Sequence, residues 1–304
     1  MDISVVIATY NRASSLRITL ETFRGLSVPV DTLWELLIVD NNSVDSTRDV
    51  VLGFGKTADF PVRYLFEKVQ GRSAALNTGI REAGGHIVAF TDDDVLLDSA
   101  WLSNVTRTFE RWDCSAVAGR VVPQWNHPKP DWLDMDGHFA VTNFDLGDET
   151  QEIRVAPLGA NSAFRKEMFQ KYGLFRLDLG VRGGKHTITC DDTELGERLI
   201  RGGEKIVYCP HAIIYHPVDP KRTTKRFFMS WYYYNGISVT RMAGVTQGGV
   251  FWFGAPRWLY REMFTNLARW VFTWEGKRRF RHKLQTFQSI GKIVESRRLP
   301  PRIA

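Results

Sequence analysis

Short apolar runs alternate with amphipathic stretches along the first two-thirds of the chain. Residues 3–9 (ISVVIAT), 35–40 (ELLIVD), 62–66 and 87–90 (IVAF) have the length and β-branched or aromatic character of buried strands. Between them Leu16, Leu20 and Phe23 share a helical face behind a cap at Ser14 or Ser15, with Gly25 closing the turn. A second helix starts at Asp45-Ser46 with Val50 and Val51 inward, and a third spans 73–83 before Gly84-Gly85. This order predicts an α/β fold, a doubly wound, mostly parallel sheet with right-handed crossovers.

The pattern then loosens. A helix is expected from Asp98 to about Arg111, a strand over 116–122, and an irregular loop or lid over 123–150, where Pro, Gly and Trp accumulate. Strand character returns at 158–164, followed by a short helix at 166–171. Residues 180–189, with Gly183-Gly184, read as mobile. A helix over 192–200 ends at Gly202-Gly203, and two short strands follow at 206–209 and 213–216.

Beyond Pro220 the character changes again. Residues 227–234 (FFMSWYYY) are densely aromatic among basic neighbours. From Pro256, Trp258, Leu259, Met263, Leu267, Trp270, Val271 and Trp274 recur at helical spacing, with Arg257, Arg261, Thr265, Arg269 and Thr273 on the opposite stripe. Such a helix packs on a domain or lies in a membrane interface. The basic run 277–283 (KRRFRHK) tilts the reading toward an anionic membrane surface. Nucleic acid is not expected as a partner, because no nucleic-acid motif accompanies the basic and aromatic residues. The expected organisation is a catalytic domain over 1–220 and a C-terminal helical extension over 221–304.

Charge sharpens this division. The 304 residues carry a net charge of +6, yet residues 221–304 hold 17 Lys and Arg against 3 acids, while residues 1–220 hold 23 against 31. An acidic body suits a cation, and a basic tail suits something anionic. Cys114, Cys190 and Cys209 are odd in number and scattered, which fits a reducing compartment better than a disulfide framework or a zinc site. The N-terminal apolar run reads as a first strand and not as a signal peptide, and no run of 18 uncharged apolar residues occurs. A cytoplasmic protein, peripheral on the cytoplasmic face of a membrane, is the expectation.

The candidate chemistry sits where strands end. The apolar run 87–90 leads through Thr91 into Asp92-Asp93-Asp94, three adjacent carboxylates that repel one another unless a cation or proton compensates them. A solvated acidic turn is the plain alternative. At the exit of a strand in an open α/β sheet, where ligands bind, a hard divalent ion such as Mg²⁺ or Mn²⁺ is the natural partner. Thr9-Tyr10-Asn11-Arg12, Asp40-Asn41-Asn42-Ser43 and Cys190-Asp191-Asp192-Thr193 stand at further element ends. Tyr10 can stack on a base, and Asp40 or Asn41 can hydrogen-bond its edge. Neither a G-x-G-x-x-G after the first strand nor a P-loop is present.

Six segments, SVVIATYNR, LLIVDNNSVDST, GRSAALNTGI, GHIVAFTDDDV, PLGANSAFR and CDDTELGERLIRGGEKIVYCPHAIIYH, occur in the order expected of family 2 glycosyltransferases. Over residues 3–216 the chain resembles these inverting enzymes of GT-A fold. The resemblance implies a nucleotide-diphosphate-sugar donor and a glycan or lipid-linked acceptor hydroxyl. It implies donor contacts from Ala8, Thr9, Tyr10 and Arg12 on the first loop, from Asp40 and Asn41 on the second, from Arg72 and Asn77, and from Asp92 and Asp93. Asn41 and Leu76 stand where the family often carries a carboxylate and an arginine. Asp94 and Asp92 match the D-x-D metal pair, and His216 resembles a third metal or diphosphate contact, its plain alternative being a packed, hydrogen-bonded histidine. Asp192 matches the catalytic base and Asp191 is the second candidate, the alternative for both being an acidic helix start. Gly159, Ala160 and Asn161 resemble the segment beside sugar and acceptor, with Trp125, Trp132 or His138 as an acceptor platform. The rivals are a nucleotidyltransferase of similar fold, whose basic Gly-rich loop is missing after the first strand, and a non-catalytic sugar-nucleotide module.

Overall fold

A computed structural model describes residues 2–133, 139–183, 188–245 and 250–299. The chain divides into two units. The first comprises Met1–Gln124, Thr142–Gly183 and Asp191–Pro217; the second comprises Trp125–Val141, Gly184–Cys190 and Val218–Ala304. Where the sequence suggests one boundary near 220, the described residues 125–133, 139–141 and 188–190 group with the C-terminal helices.

The first unit is a nine-stranded mixed sheet flanked by helices. Strands β1 (Ile3–Thr9), β2 (Trp34–Asp40), β3 (Val62–Phe66) and β4 (Ile87–Thr91) pair in parallel in the order β3-β2-β1-β4. Helices α1 (Ala13–Phe23), α2 (Thr47–Gly55) and α3 (Arg72–Glu82) make the crossovers. β1 and β2 are buried almost throughout, which is why their sequences run apolar without alternation. After β5 (Leu96–Leu97), α4 (Trp101–Arg111) and β6 (Ala116–Gln124) come β7 (Gln151–Ile153), β8 (Asn161–Arg165), α5 (Glu167–Tyr172), α6 (Asp191–Arg201) and β9 (Ile206–Pro217). β8 is inserted antiparallel between β4 and β6, and β9 runs parallel to β6.

Several local expectations change. The stretch 206–217 is one twelve-residue strand, because pairing with β6 resumes after a bulge at Gly119/Arg120. β7, just past the predicted loop and in a stretch where the sequence suggested no element, forms because β9 offers it an unpaired edge. The cap of α1 comes from neither Ser14 nor Ser15. Asp45 Oδ2 accepts the Ala13 amide at 3.0 Å while its Oδ1 accepts the Thr47 amide at 3.0 Å, so one carboxylate starts both α1 and α2. Burial opposes its ionisation, but the Thr47 and Ala13 donors prevail and hold its pKa below the usual range. Asp45→Ala is expected to cost about 1–2 kcal/mol, read as a lowered melting temperature. Because the native pKa is depressed, that loss is full at neutral pH and shrinks as pH falls through the carboxylate range.

The second unit contains α7 (Lys225–Ala243), a hairpin of β10 (Phe251–Trp252) and β11 (Ala255–Pro256), α8 (Arg257–Phe272) and α9 (Gly276–Ser296). Thr224 caps α7, its hydroxyl accepting the Phe227 amide at 3.1 Å. α7 and α9 pack at Gly236 and Gly291, where a Cβ would collide with the Gln288 and Tyr233 carbonyls respectively. Trp132, offered by the sequence for an acceptor platform, packs edge-on to Phe228 at 5.2 Å and Phe280 at 5.0 Å. The facing of α8 differs from expectation: Leu259, Tyr260 and Asn266 are buried, whereas Trp258, Val271 and, past its end, Trp274 are exposed beside the arginines. α9 decides this by covering the Leu259 side only. Among the described residues no helix is long and apolar enough to cross a membrane.

Candidate active site

Strand register gathers the chemistry. Thr9 lies opposite Asp40, Ile7 opposite Thr91, Thr91 opposite Asn161, and Pro123 opposite His216. The carboxyl ends of β1, β2, β4 and β9 therefore open on one edge of the sheet, the place where open α/β folds bind ligands. The loops after β1 and β2 are joined: the Asn11 amide donates to Ser43 Oγ at 2.8 Å and Val44 donates to Asn11 Oδ1 at 2.8 Å. Asn11 and Asn42 adopt positive φ (51° and 66°), which asparagine tolerates better than most side chains. Asp40 is buried, fixed by Tyr64 Oη at 2.8 Å and the Ser43 amide at 2.9 Å.

The three acids after Thr91 diverge. Asp93 turns inward, accepting from Thr9 Oγ1 at 2.7 Å and Arg12 Nη1 at 3.2 Å. Burial pushes its pKa up to about 7 against the pull of Arg12, and the neighbouring Asp94 and Asp92 add to the rise. Asp92 and Asp94 face His216, and ligand atoms of the three lie within 4.8 Å of one another. His216 Nε2 stands 3.4 Å from Asp94 Oδ1, while Nδ1 lies 3.2 Å from the Pro217 carbonyl. A carbonyl only accepts, so Nδ1 donates in that contact and Nε2 is the nitrogen turned toward the cluster. Two carboxylates and one imidazole nitrogen form a donor set that could hold a divalent metal ion. Among the described residues this is the one such cluster.

Two arginines hold the cluster together. Arg12 bonds Asp94 as well as Asp93. Arg72, first residue of α3, reaches Asp92 Oδ1 at 3.1 Å with Nη2 and Asp191 Oδ2 at 2.8 Å with Nη1. It thereby ties the acids after β4 to those opening α6, where a helix N-terminus favours negative charge. Asp191 is buried in this ion pair; Asp192 is partly open. Asp192 Oδ2 accepts the Gly159 amide at 2.8 Å and Oδ1 the Thr193 amide at 2.7 Å. Burial, then repulsion from Asp191, nevertheless raise its pKa above the ordinary carboxylate range.

Gly159 has no room for a side chain: a Cβ would lie 2.8 Å from Arg72 Nη2 and 3.1 Å from Asp192 Oδ2. Gly159→Ala is expected to lower kcat about 10–100-fold by displacing these groups, with a melting curve taken alongside to separate that loss from unfolding.

Other candidates have different duties. Asn41 is buried with its nitrogen donating to the Glu67 and Val69 carbonyls and its oxygen accepting from Gln70 and Gly71, which leaves no acceptor for a base. Asn77 exchanges hydrogen bonds with the Phe175 backbone at 2.8 and 2.9 Å. Asn161 accepts from Trp101 and donates to the Arg120 and Ala212 carbonyls, and Ala160 is buried beside it. These three amides brace the strand ends instead of facing a ligand. Trp125 belongs to the second unit and lies edge-on to His127 at 5.5 Å. His138 lies outside the described residues. Ala8 is half-buried just before Thr9. Tyr10 is half-exposed, with the Gly183 backbone directly against its ring. Residues 180–183, expected to be mobile, are fastened to α3 by the Arg72 amide donating to the Val181 carbonyl at 2.8 Å and by Ser73 donating to Leu179 at 2.8 Å; residues 184–187 lie outside the description. Thr193 and the Pro217 carbonyl hold Asp192 and His216, roles that no residue pattern announces.

A family model, glycosyl transferase family 2, matches residues 4–173. A glucosyl-dolichyl phosphate glucuronosyltransferase of Haloferax volcanii is 27% identical over 78% of this chain and 76% of its own length. The succinoglycan biosynthesis protein ExoM of Rhizobium meliloti is 26% identical over 81% of this chain and 78% of its own. Among solved structures, a mannosyltransferase of Pyrobaculum calidifontis in complex with GDP-Man and Mn²⁺ superposes with a TM-score of 0.57 at 20% identity, over 79% of this chain and 62% of that one. The chain thus spans under two-thirds of that structure, and the likeness is one of fold.

Proposed function

From the premise that this chain belongs to glycosyl transferase family 2, we propose that it transfers a sugar, with inversion, from a nucleotide diphosphate to the hydroxyl of a glycan or lipid-linked acceptor. The observation that carries this reading is Arg72, bonded at once to Asp92 and Asp191 and thereby joining the acids after β4 to Asp192. Asp192 is the base. It is partly open, and its raised pKa makes it a better proton acceptor than an ordinary carboxylate. Asp191 serves to hold Arg72.

The acceptor oxygen gives its proton to Asp192 as it bonds the anomeric carbon. The bond from that carbon to the diphosphate oxygen breaks on the opposite face, its electron pair leaving with the diphosphate. A single carboxylate suffices for such a displacement, since no covalent sugar intermediate needs a second nucleophile. Asp92, Asp94 and His216 would hold Mn²⁺ or Mg²⁺, which when bound offsets charge on the diphosphate. Among the described residues, Arg12 and Arg72 lie beside the same carboxylates and are well placed to meet a diphosphate. Tyr10 offers a ring to the base and Asp40 a fixed carboxylate behind it. The Haloferax relative's lipid-phosphate acceptor supports a lipid-linked acceptor here.

A panel of nucleotide sugars incubated with the full chain and Mn²⁺ tests the reading. The expected result is metal-dependent release of nucleoside diphosphate from one donor class, lost on chelation. Release of pyrophosphate from a nucleoside triphosphate and sugar phosphate would instead mark a nucleotidyltransferase and overturn it.

A further inference from the structure

The face of α8 that α9 leaves uncovered is apolar and basic together. Leu259 and Tyr260 pack with Ile293. Around the remaining arc Arg257, Trp258, Arg261, Phe264, Val271 and Phe272 are exposed, Phe272 at 78%, and Trp274 follows at 98%. A contiguous apolar surface of this kind on a folded unit marks an interaction site. At 1.5 Å per residue the helix offers a ridge about 24 Å long.

The charges point to the partner. Residues 257–283 contain eight Lys and Arg and two acids, and both acids are engaged. Glu262 accepts from Ser289 and Lys292 at 2.8 Å each, and Glu275 caps α9 by accepting the Lys277 and Arg278 amides at 3.1 and 3.3 Å. Lys277, Arg278 and Arg279 occupy the first turn of α9, which holds no acid. Cations are disfavoured at that positive end of a helix; Glu275 pairs with Arg278 at 3.2 Å, and an outside anion would offset the rest of this charge. Cation–π contacts keep the parts together: Lys283 Nζ lies 4.9 Å from the Trp270 ring centroid and Arg257 lies 5.6 Å from that of Trp252.

We infer that this face of α8, with Trp274 and the start of α9, docks on an anionic lipid bilayer. The helix lies along the headgroup region, Trp258, Phe264, Val271, Phe272 and Trp274 enter the acyl boundary, and the arginines and lysines meet lipid phosphates. A second copy on the same face would set like charge against like charge, whereas an anionic interface offers apolar depth and countercharge at once. The inference is independent of the reaction proposed above.

Flotation of the full chain with phosphatidylglycerol–phosphatidylcholine vesicles, against pure phosphatidylcholine vesicles, tests it. The expected result is partition into the anionic vesicles that weakens with salt. Arg278→Glu with Arg279→Glu is expected to reduce partition about tenfold or more. Phe272→Ser with Trp274→Ser, at two exposed positions, is expected to lower partition at all salt concentrations with an unchanged melting temperature. Equal partition of wild type and both double variants overturns the proposal. So does absence of vesicle binding, whether accompanied by a concentration-dependent dimer that Phe272→Ser/Trp274→Ser dissolves or by retention on single-stranded nucleic acid.

Discussion

Asp192→Asn is expected to lower kcat by about 10²–10⁴-fold while nucleotide-sugar affinity stays near the wild-type value. The amide keeps the volume of the side chain and an acceptor for the Gly159 amide, but it cannot take the acceptor's proton. Single-turnover transfer together with calorimetric titration of the donor separates the two quantities. The wild-type profile carries a second signature. In the proposed role Asp192 works ionised, and its pKa is raised by burial and then by Asp191; kcat is therefore expected to fall as pH drops through a value above the ordinary carboxylate range. Asp191→Asn behaves differently, because it breaks the 2.8 Å ion pair with Arg72 and so loosens the junction between α3 and α6. Its expected loss lies in stability and donor affinity, and removing its charge moves the acid limb of kcat to lower pH without abolishing it. If Asp191→Asn flattened that limb and Asp192→Asn left it intact, the roles of the two acids would be exchanged.

Asp94→Ala is expected to weaken Mn²⁺ binding about 100-fold or more, and metal-supported turnover with it. The side chain supplies one of three gathered donors and faces His216 Nε2 at 3.4 Å. Its removal also releases Arg12 from one of its two carboxylates, so a melting curve accompanies the measurement. Electron paramagnetic resonance of free Mn²⁺ reads the affinity directly, without recourse to activity. His216→Ala removes a neutral ligand and is expected to cost less, about 10–100-fold. Unchanged Mn²⁺ affinity in Asp94→Ala would remove the metal from this cluster.

Much of this architecture is visible in a single sequence because burial on both faces leaves a plain mark. β1, β2 and β4 read as uninterrupted apolar runs ending in polar residues, and a parallel sheet with crossovers follows from their alternation with helices. The acids at 92, 94, 191 and 192 and His216 were legible as candidates for the same reason: each stands where an apolar run stops or a helix begins. The amides at 41, 77 and 161 were not. An asparagine that accepts a ligand and one that clasps backbone are identical in sequence, and only neighbours distant along the chain, such as Phe175 for Asn77 and Trp101 for Asn161, tell them apart. The caps failed similarly. Ser14 and Ser15 have the right chemistry nearby, yet Asp45 delivers the bond from the next loop.

The α8 helix shows the same division on a larger scale. Its period is local and was readable from Pro256 onward. Its facing is not local, since one residue turns the helix by about 100° and the position of α9 selects which stripe is covered. By itself, then, the order of residues determined most element types, the parallel β1–β4 part of the sheet and the residue types that collect at its carboxyl edge, because these depend on near neighbours and on solvent. The tertiary structure alone decided which carboxylate is paired and which is open, since Arg72 meets Asp191 across 119 positions of chain. Charge and burial act through space, and chain order carries no record of distances that only folding creates.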